Sequence, residues 1–165
     1  MCARTYAPSA AAAMCLMQHS PLAMLMYYDA RPCGMNGLFA TDTLAPLKGY
    51  YALKMFNELY RLGTAVNARS DDAALYLCAA KDGAGKGAAL FTYFPVGETG
   101  AKKETKIVFG GMNEGKKKVV FFLLNEENDC KPVREETVVS QDAAFYLTLQ
   151  PDDVFLVCVT PAENG

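Results

Sequence analysis

The sequence contains no tryptophan and a single histidine, His19. A structural zinc site needs clustered Cys and His ligands at short spacings. The six cysteines, Cys2, Cys15, Cys33, Cys78, Cys130 and Cys158, include no C-x-x-C pair, so zinc is not expected and no motif asks for a cofactor. Net charge is equally scarce, at −2 over 165 residues. Without a basic excess there is no electrostatic reason to expect nucleic acid or an anionic membrane as partner. Cys15, Cys78 and Cys158 lie inside apolar runs, where a free thiol behaves as a small hydrophobe. They read as reduced core thiols, which points to the cytoplasm.

An uninterrupted membrane-length apolar run is also missing. The stretch from Ser9 to Tyr28 is long enough, but Gln18, His19, Ser20 and Pro21 break its middle. Ala10 to Met17 does not read as a signal peptide, because only Arg4 precedes it and no small-residue cleavage site closes it. The pattern instead predicts a helix over Ala10–Met17 with Ser9 as N-cap, stopped by Pro21. A short continuous apolar run, Ala23 to Tyr28, then predicts a strand buried on both faces.

What is present falls into two periods. Arg31 to Ala45 holds Pro, Gly, Asn and Asp and reads as a loop. Pro46 is placed to open a second helix, in which Leu47, Tyr51, Met55, Leu59 and Leu62 recur every three or four residues until Gly63. After Gly63 the period switches to two. Strands are predicted over Ala73–Ala80, Ala88–Pro95, Thr105–Phe109, Lys118–Asn125, Val133–Val139, Ala143–Leu149 and Val154–Thr160, separated by Gly-, Asn- and Asp-rich turns. The fold class is therefore mainly β. An antiparallel β-sandwich of about seven to eight strands occupies residues 64–165, and a helix–strand–helix unit occupies residues 1–63. One buried parallel strand needs neighbours on both edges, so the first unit reads as the tail of something larger.

Three stretches then carry a resemblance. They are Ala23-Met24-Leu25-Met26-Tyr27-Tyr28-Asp29, Asn36-Gly37-Leu38-Phe39, and Pro46-Leu47-Lys48-Gly49-Tyr50-Tyr51-Ala52-Leu53-Lys54-Met55-Phe56. Together they resemble the last βα-unit of (β/α)8-barrel retaining glycoside hydrolases of the β-xylosidase and α-L-arabinofuranosidase type. Ala74 to Ala80, Val119 to Asn128 and Asp153 to Val157 are similar to strands of the β-sandwich that follows the barrel in that family. The resemblance implies a remnant of a (β/α)8 barrel followed by its appended sandwich. It also implies that both catalytic glutamates lie upstream, so no catalytic residue is assigned here. Tyr27, Tyr28, Asp29 and Arg31 would stand at the end of the eighth barrel strand, where barrel enzymes contact substrate. They would meet carbohydrate in an intact parent. The plainer alternative is that the tyrosines pack the barrel and Asp29 pairs with Arg31. The implied partner is the missing barrel portion, or a second copy where that portion is absent. In the intact parent the second helix would join sandwich to barrel through Tyr50, Tyr51, Met55 and Leu59.

Other motifs read as architecture. Asn36 and Asp42 are turn formers. The pairs Asp71-Asp72, Glu126-Glu127, Glu135-Glu136 and Asp152-Asp153 sit at turns or on strands, where neighbours point to opposite faces. Gly83-Ala84-Gly85-Lys86-Gly87 lacks the Ser/Thr and the following helix of a phosphate loop, and reads as a hairpin turn. Lys116-Lys117-Lys118 reads as a guard against edge pairing. An alternative function, a non-catalytic carbohydrate-binding or adhesion module, would need an exposed aromatic platform. Phe91, Tyr93, Phe121 and Phe145 are its candidates, although inward-facing core positions account for them more simply.

Overall fold

The computed structural model describes residues 6–28, 30–34, 36–95 and 100–162. The elements run α1 (Tyr6–Met17), α2 (Lys48–Leu62), β1 (Thr64–Val66), β2 (Leu75–Lys81), β3 (Gly87–Tyr93), β4 (Lys103–Phe109), β5 (Lys117–Leu124), β6 (Asp129–Val138), β7 (Ala143–Leu149) and β8 (Val154–Pro161). All seven strands expected from the period-two pattern form, and the three-residue β1 adds an eighth. A six-stranded antiparallel sheet has the order β1-β2-β3-β8-β5-β6, and β4 pairs with β7 in a second sheet.

The large sheet is a middle layer. One of its faces packs against β4 and β7, where Phe91, Val119, Phe121, Phe155 and Val157 meet Phe145 and Leu149. Phe91 stacks on Phe155 at 5.4 Å between ring centroids, and Phe121 meets Phe145 edge-on at 5.1 Å. The other face packs against both helices, where Cys78, Leu90, Leu124 and Leu156 meet Ala11, Cys15, Ala52, Met55 and Leu59. Both sides of β3 and β8 are therefore covered. This explains why Ala88 to Phe91 and Val154 to Val157 are continuous apolar runs and not alternating ones. Each fully buried Phe or Leu in these layers contributes roughly 1.5–3 kcal/mol.

The same arrangement removes the proposed aromatic platform. Phe91, Tyr93, Phe121 and Phe145 are all buried, so none offers a face to a glycan.

Several local expectations are corrected. No strand forms over 23–28, and Met24, Leu25, Met26 and Tyr28 are exposed. A strand is held by its neighbours, and this run pairs with neither edge of the large sheet, β1 or β6. Among the described residues helix α1 already runs from Tyr6, three residues before its expected cap. Ser9 lies within the helix, its Oγ donating to the Tyr6 carbonyl at 3.1 Å. Pro46 does not enter α2. It bridges to Phe39, and Leu47 is the N-cap. Gly63 closes α2 at φ 85°, as the sequence implied. Lys117 is not a solvated guard. It is buried, its ammonium donating to the carbonyls of Asn113 at 2.6 Å and Gly115 at 2.7 Å.

Candidate functional site

The residues expected to face substrate lie in the connection between α1 and α2. Tyr27 turns inward, its hydroxyl donating to the Asn36 carbonyl at 2.8 Å. The hydroxyl stands 3.1 Å from where a Cβ on Gly49 would be, so a side chain there would crowd the tyrosine against α2. Burial raises the Tyr27 pKa above its ordinary value, with smaller contributions from Tyr6 and Cys33. Tyr28 is exposed, and its carbonyl accepts from Asn36 Nδ2 at 2.5 Å. Arg31 is exposed at the start of a tight turn. Its carbonyl lies 2.7 Å from where a Cβ on Gly37 would stand. Asp29 lies outside the described residues.

Asn36 is the hub that joins these pieces. Its backbone carbonyl, its Nδ2 and its Oδ1 are all engaged, the last by the Cys33 thiol at 3.4 Å. Asp42 accepts from the Thr43 amide at 2.8 Å, and Thr43 Oγ1 accepts from the Ala45 amide. Both residues thus act as turn formers. The hub role of Asn36 was hidden in the sequence, since Tyr27 and Asn36 are nine residues apart and no helical or strand period connects them.

Beside this connection lies a groove of about 610 Å³ between α1, residues 20–27 and α2. Ala13, Met17, Leu22, Leu25, Leu53 and Phe56 give it an apolar lining. Met24 and Met26 also line it and, like Leu16 outside it, are more than half exposed. Helix α1 is apolar on every side, and such a helix is ordinarily covered all round. Among the described residues, the large sheet and α2 cover one side of α1. No described helix is long and apolar enough to cross a membrane.

A second cleft of about 490 Å³ has Lys48, Asn125, Glu126, Gln150, Asp152 and Asp153 among its lining residues. Asp153 is buried, and both of its carboxylate oxygens are occupied, one by Asn125 Nδ2 at 3.0 Å and one by the Gln150 amide at 2.9 Å. Its carbonyl accepts from Thr92 Oγ1 and the Tyr93 amide. Burial raises the Asp153 pKa, opposed by the hydrogen bonds from Gln150 and Asn125. Burial also raises that of Asp152, helped by the neighbouring Asp153. Through Asn125, Asp153 ties the β7–β8 turn to the β5–β6 turn.

Other described carboxylates make ion pairs. Asp72 pairs with Lys103 at 2.6 Å, Glu135 with Lys118 at 2.8 Å, and Glu136 with Arg134. The glycine-rich segment after Lys81 is the β2–β3 hairpin, in which Asp82 Oδ1 accepts from the amides of Ala84 and Lys86 at 2.8 Å each. Among the described residues, no three His, Cys, Asp or Glu side chains cluster as metal ligands.

No family model matches the sequence, and no curated protein matches it. Solved structures do match by fold. A glucosidase from Croceicoccus marinus aligns with a TM-score of 0.80 at 14% identity, over 95% of this chain and 42% of its own. The GH39 enzyme from Xanthomonas axonopodis pv. citri aligns at 0.73 and 14% identity, over 94% and 40%. A monomeric β-xylosidase from Caulobacter crescentus aligns at 0.69 and 13% identity, over 94% and 42%. The chain thus spans about two fifths of the length of these glycoside hydrolases and shares the fold of that portion.

Proposed function

We propose that this chain is the C-terminal part of a retaining glycoside hydrolase acting on pentose-type O-glycosides, and that it hydrolyses nothing alone. The observation that carries this reading is the fold likeness, over nearly the whole chain, to glycosidases of which it spans about two fifths. Retaining chemistry needs two carboxyl groups about 5 Å apart around one glycosidic bond. The described carboxylates at Asp72, Glu135, Glu136 and Asp153 are each engaged in local contacts. In this reading the catalytic pair belongs to the rest of the enzyme. That remainder, a (β/α)8 barrel, covers the apolar groove and the exposed side chains from Leu22 to Met26. Tyr28 and Arg31 then edge its sugar cleft, with Tyr27 bracing Tyr28 through Asn36.

The test is a hydrolysis assay on aryl xyloside and arabinofuranoside substrates. The pure 165-residue chain is expected to give no turnover, and turnover by it would overturn the proposal. The coding sequence immediately upstream is expected to encode a barrel with two strand-end glutamates. An unrelated upstream sequence would count equally against it.

A further inference from the structure

The helix–sheet interface holds two thiols face to face. Cys15 on α1 and Cys78 on β2 have their sulfurs 3.3 Å apart, and both residues are buried. They are 63 residues apart in sequence, and the pair joins two different layers of the molecule. A disulfide has an S–S length of about 2.0 Å, so the sulfurs need to approach by about 1.3 Å to bond. The pair sits in an apolar cluster with alanine, leucine, methionine and valine side chains, and Cys15 Sγ also donates to the Leu90 carbonyl at 3.8 Å. We propose that Cys15 and Cys78 form a redox pair, and that oxidation by a peroxide closes a disulfide that staples α1 onto the sheet.

The chemistry balances with peroxide as the two-electron oxidant. The Cys78 sulfur attacks one peroxide oxygen and the O–O bond breaks. The departing hydroxide takes up a proton, leaving a sulfenic acid on Cys78 and one water. The Cys15 sulfur then attacks the Cys78 sulfur. The S–O bond breaks, and the hydroxide leaves with the Cys15 proton as a second water. Two thiols and one peroxide thus become one disulfide and two waters.

The contact between the two sulfurs assists the attack. The Cys15 thiol stabilises a thiolate on Cys78 by hydrogen bonding, which lowers the Cys78 pKa against the opposing effect of burial. The same contact, with burial, raises that of Cys15. Either sulfur can be the donor in this contact, and the same balance holds with the two roles exchanged.

Access comes from α1. Its described length is 12 residues, at which an isolated helix is marginal, and three of its six buried residues are alanines. Lifting it exposes both sulfurs, and closing the disulfide pins it down. Because α1 is also one wall of the apolar groove, the oxidised state fixes that wall in place. This inference rests on the sulfur geometry and does not depend on the enzymatic reading.

The experiment treats the reduced full chain with hydrogen peroxide under native conditions. Free thiols are then alkylated in denaturant, and the peptides are mapped by mass spectrometry. The expected result is an intramolecular Cys15–Cys78 cross-link, lighter than the dithiol by two hydrogens. With it comes an upward shift of the thermal midpoint that a reductant reverses. Cys78→Ala is expected to abolish the shift, and Cys15→Ala to do the same. The mapping of the unsubstituted chain decides the matter even where a variant fails to fold. The proposal is overturned if Cys15 and Cys78 remain alkylatable while Cys33, Cys130 or Cys158 oxidise. It is overturned equally if the cross-link forms without raising the midpoint.

Discussion

Arg134 on β6 donates from Nη1 to the backbone carbonyl of Tyr146 on β7 at 2.8 Å, so a single side chain spans the two sheets of the sandwich. Its guanidinium also lies 5.2 Å from the ring centre of Phe121 and 5.8 Å from that of Phe145. The small sheet has two strands, and β7 pairs on one side with β4. Arg134 engages a carbonyl of that strand and covers two core aromatics in the same reach.

Replacing Arg134 with alanine is therefore expected to destabilise the fold by about 2–3 kcal/mol, through a charged hydrogen bond and the cation–π contacts. Glu136→Gln is expected to cost less than about 1 kcal/mol, because the Arg134–Glu136 pair is more than a third exposed and screened by solvent. Urea unfolding of the two variants checks the order. Equal losses would mean that the ion pair, and not the contact between the sheets, carries the effect.

Asp153 supplies a pH-dependent test. Burial lifts its pKa above the ordinary carboxylate value of about 4. The folded chain then holds a proton over a window in which the unfolded chain has released it. Stability is greatest below the unfolded value and is lost as pH rises through the folded one. Asp152 adds a contribution of the same sign, and Asp72, lowered chiefly by its hydrogen bond from Lys103, adds one of opposite sign on acidification. Asp153→Asn cannot ionise, so its stability is expected to fall less than that of the parent across this window. Because Asp72 is common to both chains, its effect cancels in the difference. Asp153→Ala, which strands Asn125 and the Gln150 amide, is expected to lose about 2–4 kcal/mol. Denaturant titrations at a series of pH values measure both.

Tyr27 separates bracing from contact with sugar. Tyr27→Phe keeps the ring beside Gly49 and removes only the hydroxyl that reaches the Asn36 carbonyl. The expected loss is about 1 kcal/mol. Asn36→Ala is expected to cost more, since it removes both side-chain links, to the Tyr28 carbonyl and to the Cys33 thiol. Unfolding midpoints of the two variants give the comparison.

How much of this was legible depended on distance along the chain. The period of two and the turns between strands, such as Asp82 to Gly87, are local, and they placed seven strands. β1 escaped because Thr64-Ala65-Val66 is too short to show a period. Ala23 to Tyr28 misled for a physical reason. A continuous apolar run reads the same whether a sheet covers both its faces, as with β3 and β8, or whether its cover is absent. Ser9 and Pro46 have the right chemistry for helix starts, but tertiary packing moved the boundaries. The contacts that define the site and the thiol pair join Tyr27 to Asn36 and Cys15 to Cys78, and no local pattern encodes either.

The exposed run from Leu22 to Met26 makes the last prediction. Met24 and Met26 are at least 70% exposed, so their side chains contribute little to the fold that surrounds them. They border an apolar groove instead, and contiguous exposed apolar surface promotes association. The isolated chain is expected to self-associate, and a Met24→Lys, Met26→Lys double variant is expected to shift it towards monomer. Its thermal midpoint should stay within a few degrees of the parent, as surface substitutions change stability by about 0.5 kcal/mol or less. Light scattering measures the first effect and a thermal melt the second. A parent chain that is already a monodisperse monomer would show that this surface drives no association. A large drop in the midpoint of the double variant would show instead that the run is packed in solution.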